Sequence, residues 1–178
     1  YRVGEDLLTP GWTDYRKRVE YQVYDVTGML EEGKNAIGAI LGNMWWSGGV
    51  GWQGGVRYSE GPLQLLAMLE ITGEDGTVAT FGTDTSWKWH DSPILYDHIY
   101  HGETYDANLE FENWSNPGYD DSAWKNSTQY PDKPERKIES YPGNPVRIIQ
   151  ELKAKTVTPK PGGKYIFDLG QNFAGIVR

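Results

Sequence analysis

What most limits the folds open to this chain is the brevity of its apolar runs and the regularity with which turn residues interrupt them. Residues 18–24, 35–41, 63–71, 77–81, 146–152 and 165–169 are rich in β-branched or aromatic side chains. Between them stand Gly33-Lys34-Asn35, Gly61-Pro62, Glu74-Asp75-Gly76, Pro142-Gly143-Asn144 and Pro161-Gly162-Gly163, residues that tolerate the restricted or positive φ of tight turns. The pattern predicts an all-β chain, a jelly-roll-like β-sandwich of antiparallel strands with very little helix. The 67–80 stretch reads as a hairpin, with Gly76 supplying a positive φ. Asp25-Val26-Thr27-Gly28-Met29-Leu30 allows at most a short turn, with Thr27 placed to cap Leu30.

Residues 120–141 turn polar and lose periodicity, and Pro131, Pro134 and Pro142 restrict the backbone there. A stretch of that length is too long for a tight connection and is expected to be a surface excursion. A domain boundary is expected within 144–148, or within 155–163 if 146–153 is the last strand of the sandwich. The first choice gives a β-sandwich over 1–147 and the start of a second β-domain over 148–178.

Composition removes several classes of function. With 38% hydrophobic residues and a mean hydropathy of −0.65, the 178-residue chain can bury a real core and offers no membrane-spanning segment. Its formal charge of −8 argues against nucleic acid and anionic membranes, because binding phosphate backbones needs clustered Lys and Arg. The one dense basic run, Arg16-Lys17-Arg18, lies beside Asp14 and Glu20 and reads as a solvated face. Cysteine is absent, which excludes disulfides, thiolate metal sites and cysteine nucleophiles. No phosphate-binding Gly-x-x-x-x-Gly-Lys loop and no Gly-x-Ser-x-Gly elbow occurs. The chain opens on Tyr1 with no targeting segment, so it reads as a piece of a longer protein and leaves extracellular, periplasmic and cytoplasmic locations open.

The tract Gly42-Asn43-Met44-Trp45-Trp46-Ser47-Gly48-Gly49-Val50-Gly51-Trp52 is the first candidate site. An indole offers a flat apolar face and one N–H donor, a combination suited to a sugar ring. The alternative is that Trp45, Trp46 and Trp52 pack against their own domain.

Residues 94–108 form the second. Asp97, Glu103 and Asp106 with His98 and His101 could bind a metal or perform acid–base chemistry. If 99–106 is extended, Glu103 and Tyr105 fall on one face and Asp106 on the other, so these carboxylates do not flank one glycosidic bond. No residue here is expected to be catalytic. The spacing of His98 and His101 suits a helix and lacks a third ligand, so His90, His98 and His101 are expected to serve as hydrogen-bonding groups. Asn43, Asp84, Asp91, Asp97, Glu103, Asp106 and Asn108 are oxygen donors of the kind calcium takes, which permits that ion without demanding it.

Several segments in order resemble the N-terminal β-domain of bacterial α-L-rhamnosidases (glycoside hydrolase family 78). They are Thr9-Pro10-Gly11-Trp12-Thr13-Asp14-Tyr15, the 21–30 stretch with Gly33-Lys34-Asn35-Ala36-Ile37, Leu41-Gly42-Asn43-Met44-Trp45-Trp46, Pro93-Ile94-Leu95-Tyr96 leading into Ile99-Tyr100-His101-Gly102-Glu103-Thr104-Tyr105-Asp106-Ala107, and Asp120-Asp121-Ser122-Ala123-Trp124. Phe167-Asp168-Leu169-Gly170-Gln171-Asn172-Phe173-Ala174-Gly175 resembles the opening of the next β-domain. The resemblance implies a parent that cleaves α-L-rhamnosides with inversion, using carboxylates of a downstream (α/α) barrel. It implies a non-catalytic accessory role here, with L-rhamnose or a rhamnoside glycan and that barrel as partners, and a lectin-like use of the loop around Asn43 and Trp45 with calcium. Carbohydrate contacts are expected from Asn43, Trp45, Trp46, Trp52, Glu103 and Asp106. Two alternatives stay open: a structural interdomain module, and the sugar-binding domain of a β-galactosidase-like enzyme.

Overall fold

The computed structural model describes residues 1–52, 55–58, 61–131 and 136–176. Pro134, on which part of the excursion reading rested, and Val177 and Arg178, at the end of the 148–178 stretch, lie outside the described residues.

The chain is all-β in its regular structure. Its strands are β1 (Arg18–Tyr21), β2 (Met68–Thr72), β3 (Val78–Gly82), β4 (Lys88–Trp89), β5 (Ile94–His98), β6 (Gly102–Tyr105), β7 (Lys125–Asn126), β8 (Lys137–Ser140), β9 (Thr156–Lys160) and β10 (Lys164–Asp168). One four-residue helix, α1 (Met44–Ser47), and 3-10 turns at Thr27–Met29 and Ala107–Leu109 accompany them. No described helix is long and apolar enough to cross a membrane. The strands pair two by two, as β1–β8, β2–β3, β4–β7, β5–β6 and β9–β10.

Two compact units divide the chain. The first comprises Tyr1–Gly4 and Leu8–Gly143, the second Glu5–Leu7 and Asn144–Arg178.

In the first unit β2 and β3 form the expected hairpin, with Leu69 opposite Phe81 and Ile71 opposite Ala79. Gly76 has φ +81°, and Asp75 Oδ1 accepts from the Thr77 N–H at 3.0 Å and the Thr77 hydroxyl at 2.7 Å, so the side chain replaces solvent for the turn's backbone. The β5–β6 hairpin turns at 99–101 and resumes at Gly102, whose φ is +84°. The chain is therefore not extended throughout 99–106.

The pairing departs from the expected antiparallel pattern at one point. β1 and β8 are parallel, in register from Arg18 opposite Lys137 to Tyr21 opposite Ser140. Parallel pairing needs a long crossover, and more than a hundred residues separate these two strands. The 120–141 stretch is accordingly more than an excursion, since it carries β7 and β8; both are too short and polar to leave a periodic signal. The turn at Thr27–Met29 forms as expected, but Asp25 holds it: its Oδ1 accepts the Thr27 N–H at 2.9 Å.

Residues 35–41 form no strand. Their local anchor is the Trp114 ring, which lies so close to Gly38 that a Cβ there would collide with it. Residues 146–152 contribute only an isolated antiparallel bridge between Leu7 and Val146 in the second unit, where Arg147 Nε also meets Asp6 Oδ1 at 2.9 Å. The remainder of that unit is the β9–β10 hairpin, from Lys164 opposite Lys160 to Asp168 opposite Thr156. Asp168 closes it by accepting the Lys155 N–H at its carbonyl, at 2.7 Å.

The buried hydrophobic residues among those described are Tyr15 and Val50. Both belong to the first unit; Val50 lies within the 42–52 tract and Tyr15 packs edge-on against Trp46 of that tract, so the glycine-rich loop reaches into the core.

Candidate functional site

The 42–52 tract is built around Asp97 of β5. Asp97 Oδ2 accepts the Asn43 N–H at 2.8 Å and the Met44 N–H at 3.4 Å, and Oδ1 accepts from Asn43 Nδ2 at 2.7 Å. Asn43 Oδ1 in turn accepts the Ser47 hydroxyl at 2.8 Å. The carboxamide of Asn43 is thus spent on both sides by protein partners. The tract closes at Val50, which exchanges two backbone hydrogen bonds with Val56 at 3.0 and 3.1 Å. Gly48 is required where it stands, because a Cβ would strike the Met44 carbonyl.

The three indoles have different fates. Trp45 stacks parallel to Trp12, with centroids 5.9 Å apart and planes 2° from parallel, and donates Nε1–H to the Leu8 carbonyl at 3.0 Å. Two strained positions bracket that contact, since Leu8 and Met44 have φ of +57° and +24°, values side chains other than glycine rarely adopt. Trp46 packs edge-on against Tyr15 at 5.8 Å and carries the Arg136 guanidinium over its ring at 5.3 Å. Its Nε1 is buried without a hydrogen-bond partner, and its ring serves in packing. Trp52 is 91% exposed.

Four aromatic residues that sequence reasoning left out of the site complete it. Tyr15, 3% exposed, donates its hydroxyl to the Gly11 carbonyl at 2.6 Å, and burial pushes that hydroxyl's pKa well above the ordinary tyrosine value. Tyr58 meets Tyr15 edge-on at 5.1 Å, and its hydroxyl accepts Trp12 Nε1–H at 3.0 Å. Tyr100, in the β5–β6 turn, accepts the Gly51 N–H at its hydroxyl at 3.2 Å. Trp12 and Tyr15 lie in the Pro10-Gly11-Trp12-Thr13-Asp14-Tyr15 segment, where aromatic residues at i and i+3 were the available signal. Tyr58 carries no signal of its own, and Tyr100 lies in the second candidate stretch with nothing local to link it to the loop; only the pairing of distant segments brings both there.

The second candidate region contributes less than expected. Glu103 stands on β6 opposite Asp97, exposed, and on the same face as that residue by antiparallel pairing. Asp106 lies beyond the strand end, where its Oδ1 accepts from the Asn108 N–H at 3.0 Å and from Asn108 Nδ2 at 2.8 Å. The structure therefore gathers Asn43, Trp45 and Trp46 around α1 and places Glu103 across the ladder from their anchor, while Asp106 is engaged locally.

The histidines act as hydrogen-bonding groups, as expected. His90 Nδ1 donates to the Asp91 carbonyl at 2.8 Å, His98 Nδ1 accepts the Tyr100 N–H at 3.1 Å, and His101 Nδ1 meets the Tyr96 hydroxyl at 3.0 Å. The His98 and His101 rings stack at 4.1 Å. Among the described residues no three His, Asp or Glu side chains group closely enough to hold a metal ion. Of the oxygen donors considered for calcium, Asp97 and Asp106 are engaged as above, and Asp84 Oδ1 takes the Ser86 N–H and hydroxyl at 2.7 and 2.5 Å. Those bonds hold the Asp84 carboxyl below its usual pKa.

Residues 1–150 match the family profile described as the alpha-L-rhamnosidase N-terminal domain. The chain is 45% identical over 178 residues to an alpha-L-rhamnosidase of Streptomyces avermitilis, covering 99% of this chain and 17% of that protein. It is 38% identical over 174 residues to one from an Alteromonas species, covering 97% of this chain and 19% of that protein. The chain thus spans less than a fifth of the length of these curated relatives. Among solved structures it resembles the Streptomyces avermitilis alpha-L-rhamnosidase complexed with L-rhamnose, with a TM-score of 0.79 and 39% identity over 96% of this chain and 16% of that one. The native Aspergillus terreus enzyme gives a TM-score of 0.81 and 36% identity over 96% of this chain and 20% of that one.

Proposed function

Because this chain belongs to the family of α-L-rhamnosidase N-terminal domains, we propose that it works as a non-catalytic accessory module of a longer enzyme that hydrolyses terminal α-L-rhamnosides, with inversion, in a downstream (α/α) barrel. Within that enzyme its own task is to hold L-rhamnose or a rhamnoside glycan against the 42–52 loop. The domain limits that go with this reading are 1–147 for the sandwich and 148–178 for the start of the next β-domain.

One observation carries the sugar-binding part. Trp52 is 91% exposed at the end of a tract whose other two indoles are packed, so an apolar face is presented to solvent from a backbone fixed by Val50 and Gly51. A deoxysugar suits that face, because its methyl group and ring carbons are apolar while its hydroxyls point outward. All the relatives named above are alpha-L-rhamnosidases, which favours that parent over a β-galactosidase-like one. Calcium, if the sugar needs it, would have to draw on carboxylates such as exposed Glu103.

Retention on a matrix bearing immobilised L-rhamnose tests the reading, with elution by free L-rhamnose and with calcium added or chelated. Specific retention is expected; passage at the void volume under both conditions would oppose it. Incubation with an aryl rhamnoside is expected to give no turnover.

A second reading, a structural module that buttresses the barrel, is favoured by the apolar surface of the β2–β3 hairpin. An open cleft of about 380 Å³ there is lined by Ile37, Met68, Leu69, Phe81 and Trp87, and exposed apolar surface of this kind marks interfaces. Under that reading the chain should associate with the separately expressed barrel and ignore sugar.

A further inference from the structure

Of the residues the sequence offered as sugar contacts, Asn43, Trp46 and Asp106 are each held in place by the protein itself. Asn43 uses both carboxamide atoms, Trp46 Nε1 is buried, and Asp106 is held by Asn108. The exposed rings lie elsewhere, around Gly51. Trp12 is 48% exposed and has one face covered by Trp45 at 5.9 Å, while Tyr58 fixes its orientation by accepting its N–H. A Cβ at position 51 would lie 3.5 Å from the edge of the Trp12 ring, so Trp12 borders Gly51 directly. Tyr100, 59% exposed, is tied to the Gly51 N–H, and Trp52 follows in the chain.

We propose that the sugar-contacting surface is the aromatic patch of Trp12, Trp52 and Tyr100 around Gly51, with Trp12 as its rigid anchor and a rhamnose-terminated glycan as its ligand. This rests on the sugar-binding reading above and names a different set of contacts for it. Trp12 suits the anchor role for a physical reason: a ring already oriented by Trp45 and Tyr58 loses little freedom when a ligand stacks on it. Asn43 becomes a positioning residue, holding the loop to Asp97. Gly51, with φ of +87°, supplies the approach that a side chain would crowd.

The eight indole N–H groups of the chain report binding site by site. Indole resonances of the 15N-labelled full chain would be followed while L-rhamnose, and then a rhamnose-terminated disaccharide, are added, with assignments from single Trp→Phe variants. Trp12 and Trp52 are expected to shift saturably and Trp46 to stay still. Trp12→Ala should weaken binding at least about tenfold, and Trp12→Phe, which keeps a ring on Trp45, should weaken it less. Saturable sugar binding that moves Trp46 or Asn43 Nδ2 and leaves Trp12 unmoved would overturn the patch while sparing the sugar-binding reading. No shift at any indole or backbone amide at millimolar sugar would remove both.

Discussion

At the scale of single residues, the indoles show why a side chain's chemistry does not fix its role. Trp45, Trp46 and Trp52 look equivalent in sequence, yet one is stacked and hydrogen-bonded, one packs edge-on with a buried, unpartnered N–H, and one faces solvent. The difference is measurable. Trp45→Phe deletes a hydrogen bond to the Leu8 carbonyl and should cost about 1 kcal/mol from that loss. Trp46→Phe removes a donor that has no acceptor, so urea unfolding should show a smaller penalty than for Trp45→Phe. Trp52→Ala should leave stability within about 0.5 kcal/mol of the parent. Asp97→Ala is expected to be the most damaging of the four, at about 1–3 kcal/mol, because it strands the amides of Asn43 and Met44 without their acceptor.

At the scale of elements, turns were easier to read than strands. Gly76, Asp75 and Asp25 announce their turns through local chemistry, and those turns form. Residues 35–41 and 146–152 carry the composition of strands without becoming them, because a strand exists only when another segment pairs with it, and composition does not reveal the partner. β8 shows the converse: Lys137-Ile138-Glu139-Ser140 has little strand character, and β1 recruits it across a long interval.

The turn carboxylates set an acid limit on these elements. Hydrogen bonds from Thr27, Thr77, Ser86 and Ser122 hold Asp25, Asp75, Asp84 and Asp120 below the usual value of 3.8. A carboxyl whose pKa is lowered by folding stabilises the fold fully above its unfolded value, and that contribution fades as pH falls through the folded one. Thermal melts should therefore be flat from neutral pH down to about 4 with respect to these groups and decline below it. Asp75→Asn with Asp84→Asn should make the decline shallower; an unchanged slope would show that these turns do not govern acid stability. Gly76→Ala should destabilise by about 1–2 kcal/mol from its left-handed backbone alone, since nothing lies within 4 Å of the Cβ it would add.

At the scale of the whole molecule, the all-β class and the family were legible before any coordinates, because both rest on ordered local segments such as Gly102-Glu103-Thr104-Tyr105-Asp106-Ala107 and Phe167-Asp168-Leu169-Gly170. The site was legible only in part. The 42–52 tract announced itself through its indoles, but Trp12, Tyr58 and Tyr100 join it through contacts spanning 46 and 49 positions of sequence, which no local pattern encodes. The same anchoring that orders the loop engages Asn43 with Asp97 and packs Trp46 against Tyr15.

The most direct test of a sugar-facing module is calorimetric titration of the full chain with L-rhamnose, with Trp52→Ala run alongside. Saturable heat with a Kd near the millimolar range, worth about 4 kcal/mol, weakened about tenfold or more by Trp52→Ala at unchanged melting temperature, is the expected result. Absence of heat in the parent chain, or equal affinity in both proteins, would contradict it.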